Sequence, residues 1–378
     1  MKPDYIEFSS PSGTCYIRKD RADQLAETDV AVFDCDGVLL DARKSYSGAV
    51  AESTSILIEA LAGVRIDASV FDDETFFAFK KAGGFNNDWS VTYAYVMGSL
   101  ATLDNKDLSA LARIAAKADV GPPAERLRRF VELRKPSSLK VAGIKENLIK
   151  LAEDAGAGGV DSVDALLLSR VGASVKKFLR YPSTVGDSIV GTLFEEIFGG
   201  ARLFMETFGF QAQFTDQQTG YVDKERRILT DMTVRRLQKI LGGARFGIAS
   251  GSPMNSARYT LGGALDFFPR KAQVWHEDVN AASDDVSLHK PNGYSLIRAA
   301  SAYAPYQRVV YVRDTMADLL TARNADKEKP RFSFLGVYAA AAPPEETKYT
   351  FLSRGADAIA PTVNELPSII EKVRRETR

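Results

Sequence analysis

Cysteine is scarce in this chain: 378 residues carry only Cys15 and Cys35. Two thiols cannot form a disulfide framework for a chain of this length, so the fold rests on a hydrophobic core. His276 and His289 are the only histidines. Neither has a Cys or His partner close in sequence, which excludes a zinc signature. An excess of charge is also missing, with Lys plus Arg and Asp plus Glu both at 49. That balance gives no basic surplus of the kind a nucleic-acid-binding surface needs. No apolar run approaches the length of a membrane span. The opening MKPDYIEFSSPSG has no apolar stretch of the secretory type. A cytoplasmic protein with neither nucleic acid nor membrane as partner is expected.

What is present is a hydrophobic content of 45%, suited to a globular chain of about two domains. Residues 1–28 read as an N-terminal extension, with a short strand expected in GTCYIRKDRADQL. VAVF, Val30–Phe33, reads as the first buried strand. SYSGAVAESTSILIEALAG then reads as a helix ended by glycine. From Phe71 to Tyr181 and from Asp187 to Phe208 the patterns are mostly helical. Strands return late, in ARFGIAS, QRVVYVRD, FSFLGVYAA and GADAIAP, with the helical run LTDMTVRRLQKILGG before them, MADLLTARNAD among them and NELPSIIEKVRRE after them. Strands alternating with helices indicate a parallel α/β sheet. The expected fold is therefore α/β, a Rossmann-like three-layer core whose parallel sheet is interrupted after its first strand by a large helical insertion. The core would comprise 29–44 and 221–378, and the helical cap 45–220.

FDCDG, residues 33–37, sets two carboxylates at the end of an apolar strand. Asp34 and Asp36 stand two apart and point the same way on extended backbone. Buried carboxylates need a neutralising partner, and Gly37 permits a sharp turn. Cys35 between them reads as a small buried hydrophobe. In parallel α/β sheets ligands gather outside the carboxyl ends of the strands. Polar residues recur at those ends here. Ser250 follows FGIA, Asp314 follows VVYVR, and Asp318 opens the next helix. Lys290 lies in the loop HKPNGYSLI. Carboxylates around a hard cation suit Mg²⁺, and Lys290 adds positive charge for an anionic ligand. One aspartate can attack phosphorus, and a second can act as acid and then base. Ser250, with backbone N–H groups such as that of Gly251, suits a phosphate oxygen.

The pieces FDCDGVLLD, FGIASGS, the lysine of HKPNGYSLI and VRDTMAD resemble the haloacid dehalogenase superfamily of phosphohydrolases. The inserted helices and the closing GADAIAPTVNELPSII are similar to its subgroup containing phosphoglycolate phosphatase and β-phosphoglucomutase, although this cap is much longer. The resemblance implies Asp34 as nucleophile and metal ligand, and Asp36 as general acid/base with its backbone carbonyl on the metal. It implies Ser250 as the phosphate-holding hydroxyl and Lys290 as the lysine that steadies nucleophile and phosphate. Asp314 matches the second metal carboxylate and Asp318 a supporting acid. The implied activity is a Mg²⁺-dependent phosphatase acting on a small phosphorylated metabolite through an aspartyl phosphate, as a monomer or homodimer. A phosphomutase and a catalytically impaired binding protein are the alternatives. Asp36 favours phosphate-ester chemistry, because the superfamily's dehalogenases lack an aspartate at that place. One departure stands out. The family usually has glycine before the first acid of the last motif, and this chain has Arg313, a bulky cation able to pair with a carboxylate.

Two further stretches have two readings each. KKAGGFNNDWS brings Lys80, Lys81, Asn86 and Asn87 around Gly83 and Gly84. It reads as a substrate-binding loop, or as a helix–helix connection with Gly83 and Gly84 as stops and Asn87 or Asp88 as a cap. Arg43 can meet an anionic substrate where the chain enters the insertion, or serve as surface charge.

Overall fold

The computed structural model describes residues 3–85, 87–282, 288, 290–341 and 343–376, without the side chains of Ala317 and Asp318. The chain forms two compact units. One is Met1–Arg43 with Glu225–Arg378, and the other is Lys44–Lys224.

The first unit is built on strands β1 (Tyr5–Ser10), β2 (Gly13–Arg18), β3 (Thr28–Phe33), β4 (Leu40–Asp41), β5 (Arg226–Arg227), β6 (Phe246–Ala249), β7 (Gln273–Val274), β8 (Arg308–Arg313), β9 (Phe332–Val337) and β10 (Ala358–Ala360). Eight of them form one sheet in the order β1-β2-β10-β9-β8-β3-β6-β7, and β4 pairs with β5 separately. All pairings from β10 through β7 are parallel. The hairpin β1–β2 adds an antiparallel edge to the expected parallel sheet. Strand β3 is central because both its faces are covered. Val30, Ala31, Val32 and Phe33 are at most 1% exposed, and burying a valine or phenylalanine side chain stabilises by roughly 1.5–3 kcal/mol. Val30 and Val32 join Val309, Tyr311, Leu296 and Leu319 in one core cluster. Phe33 lies edge-on to Phe246 and Phe268. The helices Tyr294–Ser301 and Met316–Glu328 pack on each other and on the strands. The helices Ala22–Ala26, Asp231–Leu241 and Leu366–Glu376 form a second packed group.

The hairpin is tied to the sheet by charge as well as by pairing. Asp357 is buried and meets Arg18 and Arg21 at 3.5 Å and Arg323 at 3.1 Å. It also accepts the Phe334 N–H at 2.9 Å. A buried carboxylate persists when it is paired and hydrogen-bonded in this way.

The order of the strands fixes where a ligand can bind. From β3 the chain moves through β6 to β7, then returns to the other side of β3 as β8 and continues to β9 and β10. The direction of winding reverses between β3 and β8. In open α/β sheets, the crevice outside the strand ends at such a point is the binding position. The residues that follow these two strands are Asp34 and Asp314.

The second unit is helical. Its helices include Asp73–Ala82, Asp88–Leu100, Asn105–Ala118, Ile144–Ala155 and Ile189–Phe208. The starts of these helices other than Ile144–Ala155 carry side-chain caps. Asp72, Asn87, Asp104 and Ser188 each accept a backbone N–H with a side-chain oxygen. Phe79, Phe85, Tyr93, Tyr95, Phe130 and Phe178 are among its fully buried large side chains. Gly84 is needed for a close approach: a Cβ there would stand 2.4 Å from the backbone nitrogen of Gly159.

Candidate active site

Asp34 is the residue immediately after β3 and is 4% exposed. Its N–H donates to the Val312 carbonyl at 3.1 Å, which continues the parallel ladder with β8. That register makes Arg313 its neighbour across the ladder, and the guanidinium Nη2 lies 2.6 Å from Asp34 Oδ2. Arg313 is itself 7% exposed. Its Nη1 donates to the Tyr311 hydroxyl at 2.9 Å and to the Ala249 carbonyl at 3.3 Å, at the end of β6. The side chain thus leaves β8 and reaches β6. On the other carboxylate oxygen, Oδ1, Lys290 Nζ stands at 3.7 Å. Asp34 Oδ1 is buried and has no hydrogen bond among the described residues. Burial pushes the Asp34 carboxyl above its ordinary range. Arg313 opposes that shift most strongly, followed by the Cys35 N–H and the Ser250 hydroxyl.

The loop after β3 folds back at once. The Gly37 N–H donates to the Leu40 carbonyl at 2.8 Å, and the Leu39 N–H to the Cys35 carbonyl at 2.8 Å. Gly37 has φ +73°, and a Cβ on it would lie 2.0 Å from Asp314 Oδ2. Glycine is therefore required twice over, by its dihedral and by the carboxylate that packs against it. The contact joins the loops after β3 and β8. Cys35 is fully buried. Burial, then the nearby Asp36, Asp34 and Glu225 carboxylates, hold its thiol well above the ordinary range. It stays a neutral packing residue, as expected.

Asp36 is held from β6. The Ser252 hydroxyl donates to Asp36 Oδ2 at 2.5 Å, and the Ser250 hydroxyl reaches Ser252 Oγ at 3.2 Å. The Ser252 N–H donates to Ser250 Oγ at 3.2 Å. Ser250 is 2% exposed, and its N–H continues the ladder to Val274. Gly251 is exposed, with open space where a Cβ would be. Ser252 is a site residue that the sequence reading misses. Its signal is the second serine of SGS, which the turn after β6 brings back beside the first.

The other expected residues distribute differently. Arg43 is bound to Asp41, through Nε at 2.9 Å and Nη2 at 2.6 Å, and donates to the Ala339 carbonyl at 3.2 Å. Lys80 pairs with Asp88 at 2.8 Å and donates to the Phe85 carbonyl at 3.1 Å. Lys81 is exposed near the end of Asp73–Ala82. Gly83, with φ +90°, ends that helix, and Asn87 caps the next by accepting the Trp89 N–H at 2.8 Å. The segment is thus a helix–helix connection. Asn86, His289 and the side chain of Asp318 lie outside the described residues.

Hard oxygen donors are at hand for a cation. Among the described residues no three His, Cys, Asp or Glu side chains converge as a metal cage. Mg²⁺ does not demand one, since it commonly takes one or two carboxylates and completes its shell with water and substrate phosphate. Asp34 Oδ1, buried and without a hydrogen bond among the described residues, fits that donor chemistry, as does Asp314 on the neighbouring strand end.

The haloacid dehalogenase-like hydrolase family model matches residues 28–326. The chain belongs to this family and is a haloacid dehalogenase-like hydrolase. No curated protein matches it significantly. Two solved structures are similar. One is an X-ray structure of a structural-genomics target, 19% identical with a TM-score of 0.64, covering 92% of this chain and 100% of that one. The other is a phosphatase from Thermococcus thioreducens, 18% identical with a TM-score of 0.48, covering 86% and 99%. The first likeness supports the fold. Among the described residues no helix is long and apolar enough to cross a membrane.

Proposed function

We propose that the protein is a Mg²⁺-dependent phosphatase of small phosphate monoesters, related to the subgroup of phosphoglycolate phosphatase and β-phosphoglucomutase. The observation that carries the reading is Asp34. It is a buried carboxylate at the winding switch of a parallel sheet, with one oxygen that accepts no hydrogen bond among the described residues and Lys290 3.7 Å from it. Nothing in the packing of β3 calls for a carboxylate there, and a bland side chain would avoid the burial cost.

In the first step an Asp34 oxygen attacks phosphorus. A P–O bond to Asp34 forms and the P–O bond to the leaving alkoxide breaks. Asp36 gives that alkoxide a proton. In the second step Asp36, now a carboxylate, takes a proton from water as the water oxygen attacks phosphorus. Inorganic phosphate departs and Asp34 is restored. Ser252 fixes the Asp36 carboxyl through its hydrogen bond. Ser250 and the N–H of Gly251 hold phosphate oxygens, and Lys290 offsets their charge. Asp34 and Asp314, with Asp318 in support, would hold Mg²⁺, which supplies charge neutralisation at the transferred phosphoryl group.

Phosphate release from p-nitrophenyl phosphate, phosphoglycolate and hexose phosphates tests the reading, each assayed with Mg²⁺ and with EDTA. Release that Mg²⁺ supports and EDTA removes is expected. Release that EDTA leaves unchanged would refute the metal dependence.

A further inference from the structure

Arg313 is a cation that the strand β8 itself brings to the site. Its position is fixed three ways: by the ladder register between β3 and β8, by the Tyr311 hydroxyl at 2.9 Å and by the Ala249 carbonyl at 3.3 Å. It also pairs with Asp34 Oδ2 at 2.6 Å. Both partners of that pair are at most 8% exposed in their side chains. At such depth water screens little, and a guanidinium beside a carboxylate lowers that carboxylate's attraction for any second cation.

We propose that Arg313 is a tethered counter-ion that holds Asp34 in the resting site and competes with the divalent cation for it. Loading with metal is then an exchange in which the carboxylate passes from one positive partner to another. Glycine at this position would remove the competing guanidinium from Asp34 Oδ2. Arginine makes the metal-free pocket stable and the metal-bound pocket conditional on metal concentration. Arg313 acts here as a positioning residue through Asp34, and the inference rests on the reading of Asp34 as a metal ligand.

The geometry also says why arginine, and not lysine, suits the place. A guanidinium can address the carboxylate, a hydroxyl and a carbonyl at once through its planar fork. Among the partners of Arg313 are one of each. An ammonium at the end of the shorter lysine chain has no such fixed fork.

The test is calorimetric titration of Mg²⁺ into EDTA-stripped full-length protein, for the wild type, Arg313→Met and Arg313→Gln. Methionine keeps length and apolar bulk without charge. Glutamine keeps an N–H donor for the Ala249 carbonyl without charge, so one variant remains informative if the other misfolds. Circular dichroism checks each fold. Both neutral variants are expected to bind Mg²⁺ at least about tenfold more tightly than the wild type. Their melting temperatures should rise more on adding Mg²⁺ than the wild type's does. A merely structural arginine would lower all melting temperatures and leave the Mg²⁺ affinity alone. Wild-type binding with equal or weaker binding in the variants would overturn the inference while sparing the metal reading. No binding by any of the three proteins would overturn both.

Discussion

Asp34 and Asp104 are both aspartates beside the end of a secondary-structure element, yet they are held in opposite ways. Asp104 caps Asn105–Ala118 by accepting the Asp107 N–H at 2.8 Å, and it is exposed. Asp72, Asn87 and Ser188 behave alike in the same helical unit. A helix start offers unpaired N–H groups, so a polar side chain there is satisfied within its own turn. The end of a buried parallel strand offers no such set of donors. Asp34 takes its charged partners from other elements, Arg313 and Lys290. An acid that its own backbone satisfies contributes stability. An acid left to distant partners is available for chemistry.

The largest effect expected from this contrast is at Asp34. Replacement by Asn should lower phosphate release at least about a thousandfold, because the amide is a poor nucleophile. Circular dichroism should show the fold retained. Turnover at the wild-type rate by a folded Asp34→Asn chain would erase the contrast.

In the helical unit the expected effect is on stability. Gly84→Ala drives a methyl group into the Gly159 backbone, at a distance of 2.4 Å. A loss of about 1–3 kcal/mol in urea denaturation is expected. An unchanged midpoint would mean that the two chain segments separate without cost.

The smallest effect is a dependence on pH. Burial pushes the Glu195 carboxyl up to about 7, partly opposed by the Trp89 indole N–H that it accepts and reinforced by Asp88. Well below the ordinary carboxylate range, the folded and unfolded chains are both protonated at this site. As pH rises from that range towards about 7 only the unfolded chain ionises, so stability falls across this window. Glu195→Gln stays neutral and keeps a carbonyl for Trp89. It should be the more stable chain at pH values above that window by an amount on the order of 1 kcal/mol, with the advantage gone in acid. A constant difference between the two melting curves at all pH values would assign the effect to packing.

Much of the core is legible in the sequence because its strands are short apolar runs with chemistry at their ends. Val30–Phe33, FGIA and VVYVR each stop at a polar residue, and Asp34, Ser250 and Asp314 are those residues. The edge strand Tyr5–Ser10 is not legible, since YIEFSS is only partly buried and alternates weakly. Gln273–Val274 is too short to show a period. Arg313 announces itself as a departure from the family pattern, but its reach to Ala249 needs the strand register. Ser252 needs the turn after β6. The loop around Gly83 and Gly84 carries the same residue types as a binding loop. The dihedral of Gly83, the cap formed by Asn87 and the Lys80–Asp88 pair show that it joins two helices, which the residue types alone do not say.

The most direct measurement is peptide mass spectrometry of the protein quenched in acid while it turns over p-nitrophenyl phosphate with Mg²⁺. A phosphoryl group on the carboxylate of Asp34, absent when the Asp34→Asn chain is treated alike, is the predicted result. Active enzyme whose Asp34 peptide stays unmodified, with the phosphoryl group found on another residue, would contradict it.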